Sequence, residues 1–258
     1  MPVLYERNGA IAQITISRPE ALNALDYEMV EQLVAAWQAL EADDGAAVGV
    51  VTGDGDQAFC SGADLKTLLP LITSGGLEDE IVGPTGGTFA KFLITKPVVA
   101  AVRGVCVAGG TELLQATDIR IASEDAKFGL PEPRWALFPA GGSTVRLPRQ
   151  IPYCRAMEIL LTGDFVTADE ALRIGLVNRV LPSAEVLDAA FAVAERIAAN
   201  GRIAVQSIKR SVLETSGVPL AEAYAIEARH SRRALSTEDS VEGPLAFSEK
   251  RKPRFTGR

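Results

Sequence analysis

In two segments of the chain, small residues follow a predicted strand and lead into the start of a predicted helix. These segments are residues 59–65 (Phe-Cys-Ser-Gly-Ala-Asp-Leu) and 104–112 (Gly-Val-Cys-Val-Ala-Gly-Gly-Thr-Glu). Small residues let another molecule approach the backbone, and free N–H groups at a helix start suit an anion. Two such N–H groups that converge on one point form an oxyanion hole. Taken alone, however, the two segments are more simply explained as unrelated tight turns.

The rest of the pattern predicts strands alternating with helices, followed by a helical end. A hairpin is predicted over residues 3–17 around an Asn-Gly turn, and Asp26 is predicted to cap a helix with an apolar face of period 3.6. A glycine-rich segment at 73–88 is predicted to be a mobile loop beside a pocket. Further strands are predicted at 48–52, 98–103, 118–122, 127–129 and 177–181, and helices at 111–117, 184–200, 202–215, 220–235 and 240–250. This order predicts an α/β fold, more narrowly an α+β core with a helical C-terminal third.

The composition excludes several classes of protein. The chain has 258 residues, with 26 Lys plus Arg against 33 Asp plus Glu and a net charge of −7. This acidic balance argues against a nucleic-acid binder, although basic residues cluster near the end at Lys250, Arg251, Lys252, Arg254 and Arg258. No signal peptide and no apolar run of about 20 residues is seen, so no membrane partner is predicted. Three separated cysteines indicate reduced thiols and a cytoplasmic protein.

Two common kinds of site are not predicted. With one histidine, His230, and no close pair of cysteines, the sequence predicts no metal site. His230 stands among arginines, so we predict a solvated helix face rather than a catalytic base. Residues 53–58 match a dinucleotide-binding fingerprint, but Asp54 and Asp56 would repel the phosphates and no helix is predicted to follow. This match is therefore rejected.

Three motifs, in order along the chain, resemble those of the crotonase (enoyl-CoA hydratase) superfamily. Residues 59–66 resemble its F-C/A-A-G-A-D-L/I-K motif, residues 104–112 its G-x-x-x-G-G-G-x-E motif, and residues 128–132 its F-G-x-P-E motif. Supporting matches run nearly from end to end, from Arg18-Pro19 to residues 249–251. Because several ordered motifs are far more specific than any one alone, the chain is identified as a member of this superfamily, closest to enoyl-CoA hydratase.

The resemblance implies a fold, a substrate and binding residues. It implies a crotonase-like spiral of ββα units over residues 1–195 and a helical trimerisation region over 196–258, giving a homotrimer or a hexamer made of two trimers. The implied partner is an acyl-CoA thioester, and no separate cofactor is implied because coenzyme A enters as part of the substrate. By motif position, the N–H groups of Ser61 and Gly109 would hold the thioester oxygen. Implied contacts with the acyl-CoA are Ala24, Gly62, Ala63, Asp64, Leu65, Gly110, Trp135 and Lys250.

Members of the superfamily that hydrate carry two glutamates at the motif ends, and this sequence has both, Glu112 and Glu132. Adding water across a double bond needs one group that takes a proton from water and another that delivers one to carbon. The resemblance implies that Glu112 acts on water and that Glu132 donates the proton. Two carboxyls facing one apolar pocket are expected to have pKa values that are pushed apart. The simpler alternative is that Glu112 only stabilises its helix N-terminus.

The expected activity is that of a 2-enoyl-CoA hydratase that forms 3-hydroxyacyl-CoA. Ser61 and Ala108 depart from the commonest motif residues, and Trp135 follows the second glutamate where many relatives have smaller residues. We predict that Trp135 narrows the acyl pocket or shifts Glu132. The alternatives are another reaction on the same fold (isomerisation, carnityl-CoA-type racemisation or dehydration, or hydration with carbon–carbon cleavage) and a non-catalytic crotonase-like binding protein.

Overall fold

The computed structural model describes residues 2–67 and 94–258. The loop predicted at 73–88 lies outside these residues. The described chain begins with the predicted hairpin, in which β1 (Val3–Asn8) and β2 (Ile11–Ile16) pair antiparallel. Gly9 turns the chain with φ 60°, a conformation that glycine adopts without steric cost.

Helix α1 (Tyr27–Ala42) follows the hairpin and begins where the sequence predicts it. The side chain of Asp26 caps it, because its Oδ1 accepts a hydrogen bond of 2.9 Å from the N–H of Met29. The apolar face of α1 then packs into the main core through six buried residues: Met29, Val30, Leu33, Ala36, Trp37 and Leu40.

The described strands form two sheets. The larger sheet has the spatial order β1, β2, β3 (Val48–Gly53), β5 (Val98–Val102), β7 (Ile119–Ser123) and β10 (Arg179–Leu181). The smaller sheet has the order β4 (Ala58–Cys60), β6 (Val105–Val107), β8 (Lys127–Gly129) and β9 (Val166–Thr167). Neighbours are parallel except in the pairs β1–β2 and β8–β9.

The chain moves between the two sheets in a regular way. Three times, a strand of the larger sheet is followed directly by a strand of the smaller one: β3 by β4, β5 by β6, and β7 by β8. A helix follows β6. This winding of strand, strand and helix confirms the predicted ββα spiral. Our sequence analysis did not identify β4 and β6, because strands of three residues are too short to show a period-2 pattern.

Eight described α-helices follow α1, and the four after residue 185 agree with the predicted helical C-terminal third. The eight are α2 (Gly109–Gln115), α3 (Ser143–Gln150), α4 (Tyr153–Thr162), α5 (Ala168–Arg173), α6 (Val186–Ala198), α7 (Arg202–Thr215), α8 (Leu220–Leu235) and α9 (Asp239–Ser248). Helix α2 begins two residues earlier than predicted, which makes Gly109 its first residue. No described helix is both long and apolar enough to cross a membrane. The predicted division at residue 195 falls inside α6, and it stays a prediction.

The central strands β3 and β5 of the larger sheet are buried on both faces. In β5, Val99 and Ala101 face α6, whereas Val98, Ala100 and Val102 face the main core. Strands covered on both faces are uniformly apolar, as β5 is. The loops that follow β4 and β6 lie at one end of the spiral, and this brings together the two motifs singled out in the sequence.

The prediction for His230 is wrong. This residue lies on α8 but is only 6% exposed, because α8 packs along α7. Its Nε2 is 3.1 Å from Oε2 of Glu214 on α7. His230 therefore belongs to the interior of the helical hairpin, not to a solvated face.

Candidate active site

The segment after β4 is held by residues 22–25. Leu25 donates its N–H to the carbonyl oxygen of Gly62, and its own carbonyl accepts the N–H of Asp64, both at 2.8 Å. Leu25 and Ala63 thus form a parallel bridge, in which the N–H of Ala63 points away from Leu25. No described residue accepts the N–H of Ala63.

The structure corrects the assignment of Ser61 as a free donor. Its N–H already donates to the carbonyl oxygen of Leu22 at 3.1 Å. An N–H engaged in this way is not available to a ligand without breaking that bond. The available N–H on this segment belongs to Ala63, two residues further on, which the sequence analysis had assigned only as a binding residue.

The second donor lies at the start of α2. The N–H of Gly109 is in the first turn of the helix and donates to no described residue. A methyl group on Gly109 would lie 3.3 Å from Cα of Gly62 and 3.7 Å from the nitrogen of Ala63. Gly62 itself has φ 95°, and a methyl group there would lie 3.0 Å from the nitrogen of Gly109. The two free N–H groups are therefore neighbours, and glycines permit their close approach.

Ala108, which precedes Gly109, has an unfavourable backbone conformation, with φ 50° and ψ −126°. This region of backbone space is strained for residues with a Cβ and costs about 1–3 kcal/mol. Replacing Ala108 with glycine should relieve that strain and raise the free energy of unfolding by about 1 kcal/mol, after the greater chain entropy of glycine is subtracted. Urea unfolding measures this change. The control Ala116→Gly lies at φ −84°, which suits alanine, and should instead destabilise the protein; destabilisation by Ala108→Gly as well would contradict the strain.

Glu112 lies on α2, one turn after Gly109, and is 6% exposed. Burial, followed by the negative charge of Glu132, raises the pKa of its carboxyl to about 8. The backbone N–H groups of Gly141 and Ser143 and the cation of Arg146 act in the opposite direction. Oxygen Oε1 is buried and accepts no hydrogen bond from a described residue. Burial therefore favours the protonated form of this carboxyl, and its Oε1 is free for a substrate.

Glu132 opens a short 3-10 turn that ends at Trp135. Its side chain is half-buried, and burial raises its pKa. Its Oε2 is buried and has no hydrogen-bond partner among the described residues. Because Glu132 also raises the pKa of Glu112, the two carboxyls lie in one electrostatic environment. That the two acids face one pocket, with pKa values pushed apart, stays a prediction.

Comparisons with known proteins show the family of the chain. Residues 6–258 match the family model for enoyl-CoA hydratase/isomerase. The chain belongs to this family. It is 44% identical to the enoyl-CoA hydratase EchA19 of Mycobacterium tuberculosis over 99% of this chain and 96% of that protein. It is 37% identical to the carnitinyl-CoA dehydratase of Escherichia coli strain K12 over 98% and 97% of the two chains.

Solved structures in the family have the same fold. The crystal structure of the enoyl-CoA hydratase EchA1 from Mycobacterium marinum superimposes with a TM-score of 0.92, at 41% identity, over 100% of this chain and 99% of that one. The crotonase fold predicted from the motifs is thereby confirmed. Both curated relatives are named for adding or removing water. The chain is an enzyme of the hydro-lyase class.

Two residues predicted to contact the acyl-CoA, Asp64 and Gly110, also make close contacts within the chain. The carboxylate of Asp64 accepts hydrogen bonds from the N–H of Lys66 and from Nη1 of Arg18, at 2.9 and 2.8 Å, and these hold its pKa low. Gly110 is buried, and a methyl group there would overlap the carbonyl oxygen of Cys60. Asp64 and Gly110 therefore help to shape the backbone, and their contacts with acyl-CoA stay predictions.

The other residues predicted to contact the acyl-CoA lie in different parts of the structure. Ala24 directly precedes the bridge to Ala63, whereas Leu65 and Trp135 are 68% and 75% exposed beside the two motifs. Lys250 is exposed after α9, and its side chain has no partner among the described residues. Its neighbour Arg251 is engaged by Glu242 and Glu249, so the basic cluster is partly neutralised.

The sequence analysis missed the segment at 141–143. A methyl group on Gly141 would lie 2.5 Å from Oε2 of Glu112, so this glycine packs directly on the acid. Ser143 is fully buried and begins α3. Two consecutive glycines before a helix are a turn signal in the sequence. No sequence feature near the turn indicates, however, that it packs on Glu112, about 30 positions earlier in the chain.

The raised pKa of Glu112 has a consequence for stability. A carboxyl whose pKa rises on folding favours the folded state at low pH, and this contribution is lost as the pH rises from the unfolded value of about 4.5 through about 8. We expect Glu112→Gln to abolish that loss, so the variant should gain stability over the parent between pH 5 and pH 9. Urea unfolding at fixed protein concentration measures this gain. Glu6→Gln, at an exposed position, is the control; parallel pH curves for Glu112→Gln and the parent would contradict the burial argument.

Proposed function

We propose that this enzyme adds water across the C2–C3 double bond of a 2-enoyl-CoA thioester to form 3-hydroxyacyl-CoA. One observation carries the proposal: the free N–H groups of Ala63 and Gly109 are neighbours, and Gly109 lies one helical turn before Glu112, a buried carboxyl whose pKa the charge of Glu132 helps to raise. Glu112 follows Gly109 by three positions on α2, which places the acid and the donor on the same side of one helix. A carbonyl oxygen at the two N–H groups would therefore have its neighbouring carbons near the carboxyls.

The two N–H groups would stabilise the charge that develops in the reaction. As water adds to C3, electron density moves through C2 onto the thioester oxygen, which becomes enolate-like. Donors aimed at that oxygen lower the barrier by roughly 3–4 kcal/mol each. We assign this role to Ala63 and Gly109, since the N–H of Ser61 is already engaged.

The carboxyl pair would supply the proton transfers. Glu112 accepts a proton from water as the water oxygen bonds to C3, and Glu132 delivers its own proton to C2. The proton on Glu112 then passes to Glu132, so the net reaction adds one water and restores both acids. This requires that the pair carries one proton when substrate is bound, with one acid and one base. Burial raises the pKa of both carboxyls, which supports a pair that holds one proton at neutral pH. The assigned roles require this proton to lie on Glu132, and Glu112 to be ionised, when substrate is bound.

A direct assay tests the proposal. Purified protein is mixed with crotonyl-CoA, and loss of the conjugated enoyl absorbance is followed, with mass spectrometry of the product. We expect the absorbance to fall and the product to gain the mass of one water. In a parallel assay the substrate is a 3-enoyl-CoA, and its conversion to a 2-enoyl-CoA would show isomerisation. Absence of turnover with 2-enoyl-CoA of every chain length would refute hydration.

Dehydration of a hydroxyacyl-CoA is a second candidate, and it is favoured by the similarity to the carnitinyl-CoA dehydratase. The same pair of acids can catalyse the removal of water, because each step of hydration is reversible. A comparison of kcat/KM for crotonyl-CoA and for a carnitinyl-CoA substrate separates the two preferences. Trp135, exposed at the end of the 3-10 turn that Glu132 opens, is the residue that we propose limits the size of the acyl group.

We also propose that the protein assembles as a trimer or a pair of trimers in the cytoplasm. We further propose that Lys250 lies near the phosphates of coenzyme A. Large apolar side chains that are exposed on the C-terminal helices support assembly: Leu220, Tyr224, Leu235, Val241, Leu245 and Phe247. Surfaces of this kind are typical of interfaces. Native mass spectrometry tests the assembly, and a rise in KM for acyl-CoA in Lys250→Met tests the contact with phosphate.

A further inference from the structure

The turn at residues 141–143 forms a wall behind the Glu112 carboxyl. A methyl group on Gly141 would lie 2.5 Å from Oε2, 2.7 Å from Cδ and 3.1 Å from Oε1 of Glu112. The backbone N–H groups of Gly141 and Ser143 act on the carboxyl and favour its charged form. The orientation of the carboxyl thus depends on where this turn lies.

One buried hydrogen bond ties the turn to the helix that carries Glu112. Gln115 lies on α2, three positions after Glu112, and its Nε2 donates to Oγ of Ser143 at 2.9 Å. Gln115 is 2% exposed and Ser143 is fully buried. A buried hydrogen bond of this kind is costly to break, because the donor is then left without a partner. It fixes the distance between α2 and the turn.

A second contact holds the other end of the turn. Nη1 of Arg146, on α3, donates to the carbonyl oxygen of Gly141 at 3.2 Å. The guanidinium is half-buried, and its charge acts on Glu112 across the turn. Among the described residues, the charged groups that act on the Glu112 carboxyl are Arg146, from α3, and Glu132, from the 3-10 turn.

We propose that Gln115 and Arg146 are positioning residues, which hold the turn at 141–143 as a fixed wall and thereby keep Oε1 of Glu112 directed at the reacting carbons. The inference rests on the proposed function for the identity of those carbons. The placement of the wall and its effect on the carboxyl do not depend on the reaction. Neither residue touches the substrate in this account, and each acts through the turn and Glu112.

The experiment measures the protonation of Glu112 in the ligand-free enzyme. The infrared band of the protonated carboxyl is titrated with pH and is assigned by its loss in Glu112→Gln. Arg146→Met removes the cation and one tether, so the pKa of Glu112 should rise by about 1 unit. Arg146→Lys keeps the charge and should restore most of the parent value. Arg149→Met is the matched control, because Arg149 is exposed on the same helix and donates to the carbonyl of Val145.

The tether through Gln115 is tested by a cycle of variants. Gln115→Met and Ser143→Ala each break the same hydrogen bond, so each should move the N–H groups of the turn and raise the pKa of Glu112. The double variant should shift the pKa no further than the larger single shift, because both changes remove one interaction. With crotonyl-CoA, kcat should fall about tenfold in each variant while KM changes little.

The outcomes separate the two proposals. If the parent enzyme does not hydrate any enoyl-CoA but the titrations shift as expected, the proposed function is wrong and the positioning role stands. If the parent hydrates and Arg146→Met leaves the pKa of Glu112 unchanged, the positioning role is wrong. An equal shift in Arg149→Met, or fully additive shifts in the cycle, would also overturn it.

Discussion

Replacing Glu112 with glutamine should lower kcat for crotonyl-CoA by about 10²–10⁴-fold. The amide has nearly the shape of the acid and fills the same buried site, but it can neither accept a proton from water nor return one. The same loss is expected for Glu132→Gln, because addition of water needs both groups. Steady-state kinetics measures kcat, and calorimetry with butyryl-CoA, which has no double bond, measures binding.

The expected result is a loss of turnover with little change in the Kd for butyryl-CoA. The N–H groups of Ala63 and Gly109 lie on the backbone and are untouched by either change. The double variant should lose little more than the worse single variant, because the acids act as one unit. Glu124→Gln, at an exposed carboxyl in the turn between β7 and β8, is the control. Activity above a tenth of the parent level in either active-site variant would remove the acid–base assignment.

Local signals were sufficient to predict most of the fold. The hairpin depends on an Asn-Gly turn, and the start of α1 depends on Asp26, and both features act within a few residues. The short strands β4 and β6 could not be predicted in this way. Each has three residues, and each exists because it pairs with a strand far away in the sequence. Their sequences lie inside the two motifs, where the small residues dominate the pattern.

The candidate site was predicted in its residue types but not in its hydrogen bonding. Ser61 and Ala63 are both small residues on one segment, and a motif comparison does not reveal which N–H is free. That depends on Leu22, whose carbonyl accepts the N–H of Ser61, and on Leu25, which turns the N–H of Ala63 outward. These contacts join residues about 40 positions apart. Only the tertiary structure decides between the two donors.

The wall behind Glu112 shows the same limit. Gly141 and Arg146 carry no sequence feature that links them to Glu112, and their effect comes from packing across about 30 residues. Gln115 does lie on the face of α2 that carries Glu112, three positions on, so a helical pattern could have suggested it. Its partner Ser143 could not be inferred without the turn.

Gly110→Ala should be the most destabilising of the single-methyl changes in the site. A methyl group there would overlap the carbonyl oxygen of Cys60 and lie 2.9 Å from its carbonyl carbon. Both partners are backbone, on α2 and on β4, so no side chain can rotate away. Relief requires the helix to move off the strand, and we expect a loss of about 3 kcal/mol or more in the free energy of unfolding. Urea unfolding measures this loss.

The same displacement should also reduce activity, because α2 carries both Gly109 and Glu112. Two further glycines make a graded series with Gly110. Gly109→Ala brings a methyl 3.3 Å from Cα of Gly62, a tight but soft contact, so we expect a small loss of stability with a larger loss of kcat. Gly201→Ala, before α7, meets nothing closer than 3.9 Å and should change neither.

The order of the three variants is the decisive measurement. If contact with the backbone of β4 fixes the position of α2, stability must fall most at Gly110, less at Gly109 and not at Gly201. A Gly110→Ala protein as stable as the parent would mean that α2 can shift without cost. The N–H of Gly109 and the carboxyl of Glu112 would then not be held rigidly relative to Ala63. An oxyanion site depends on such rigidity, because donors stabilise the transition state only if they need not reorganise as charge develops.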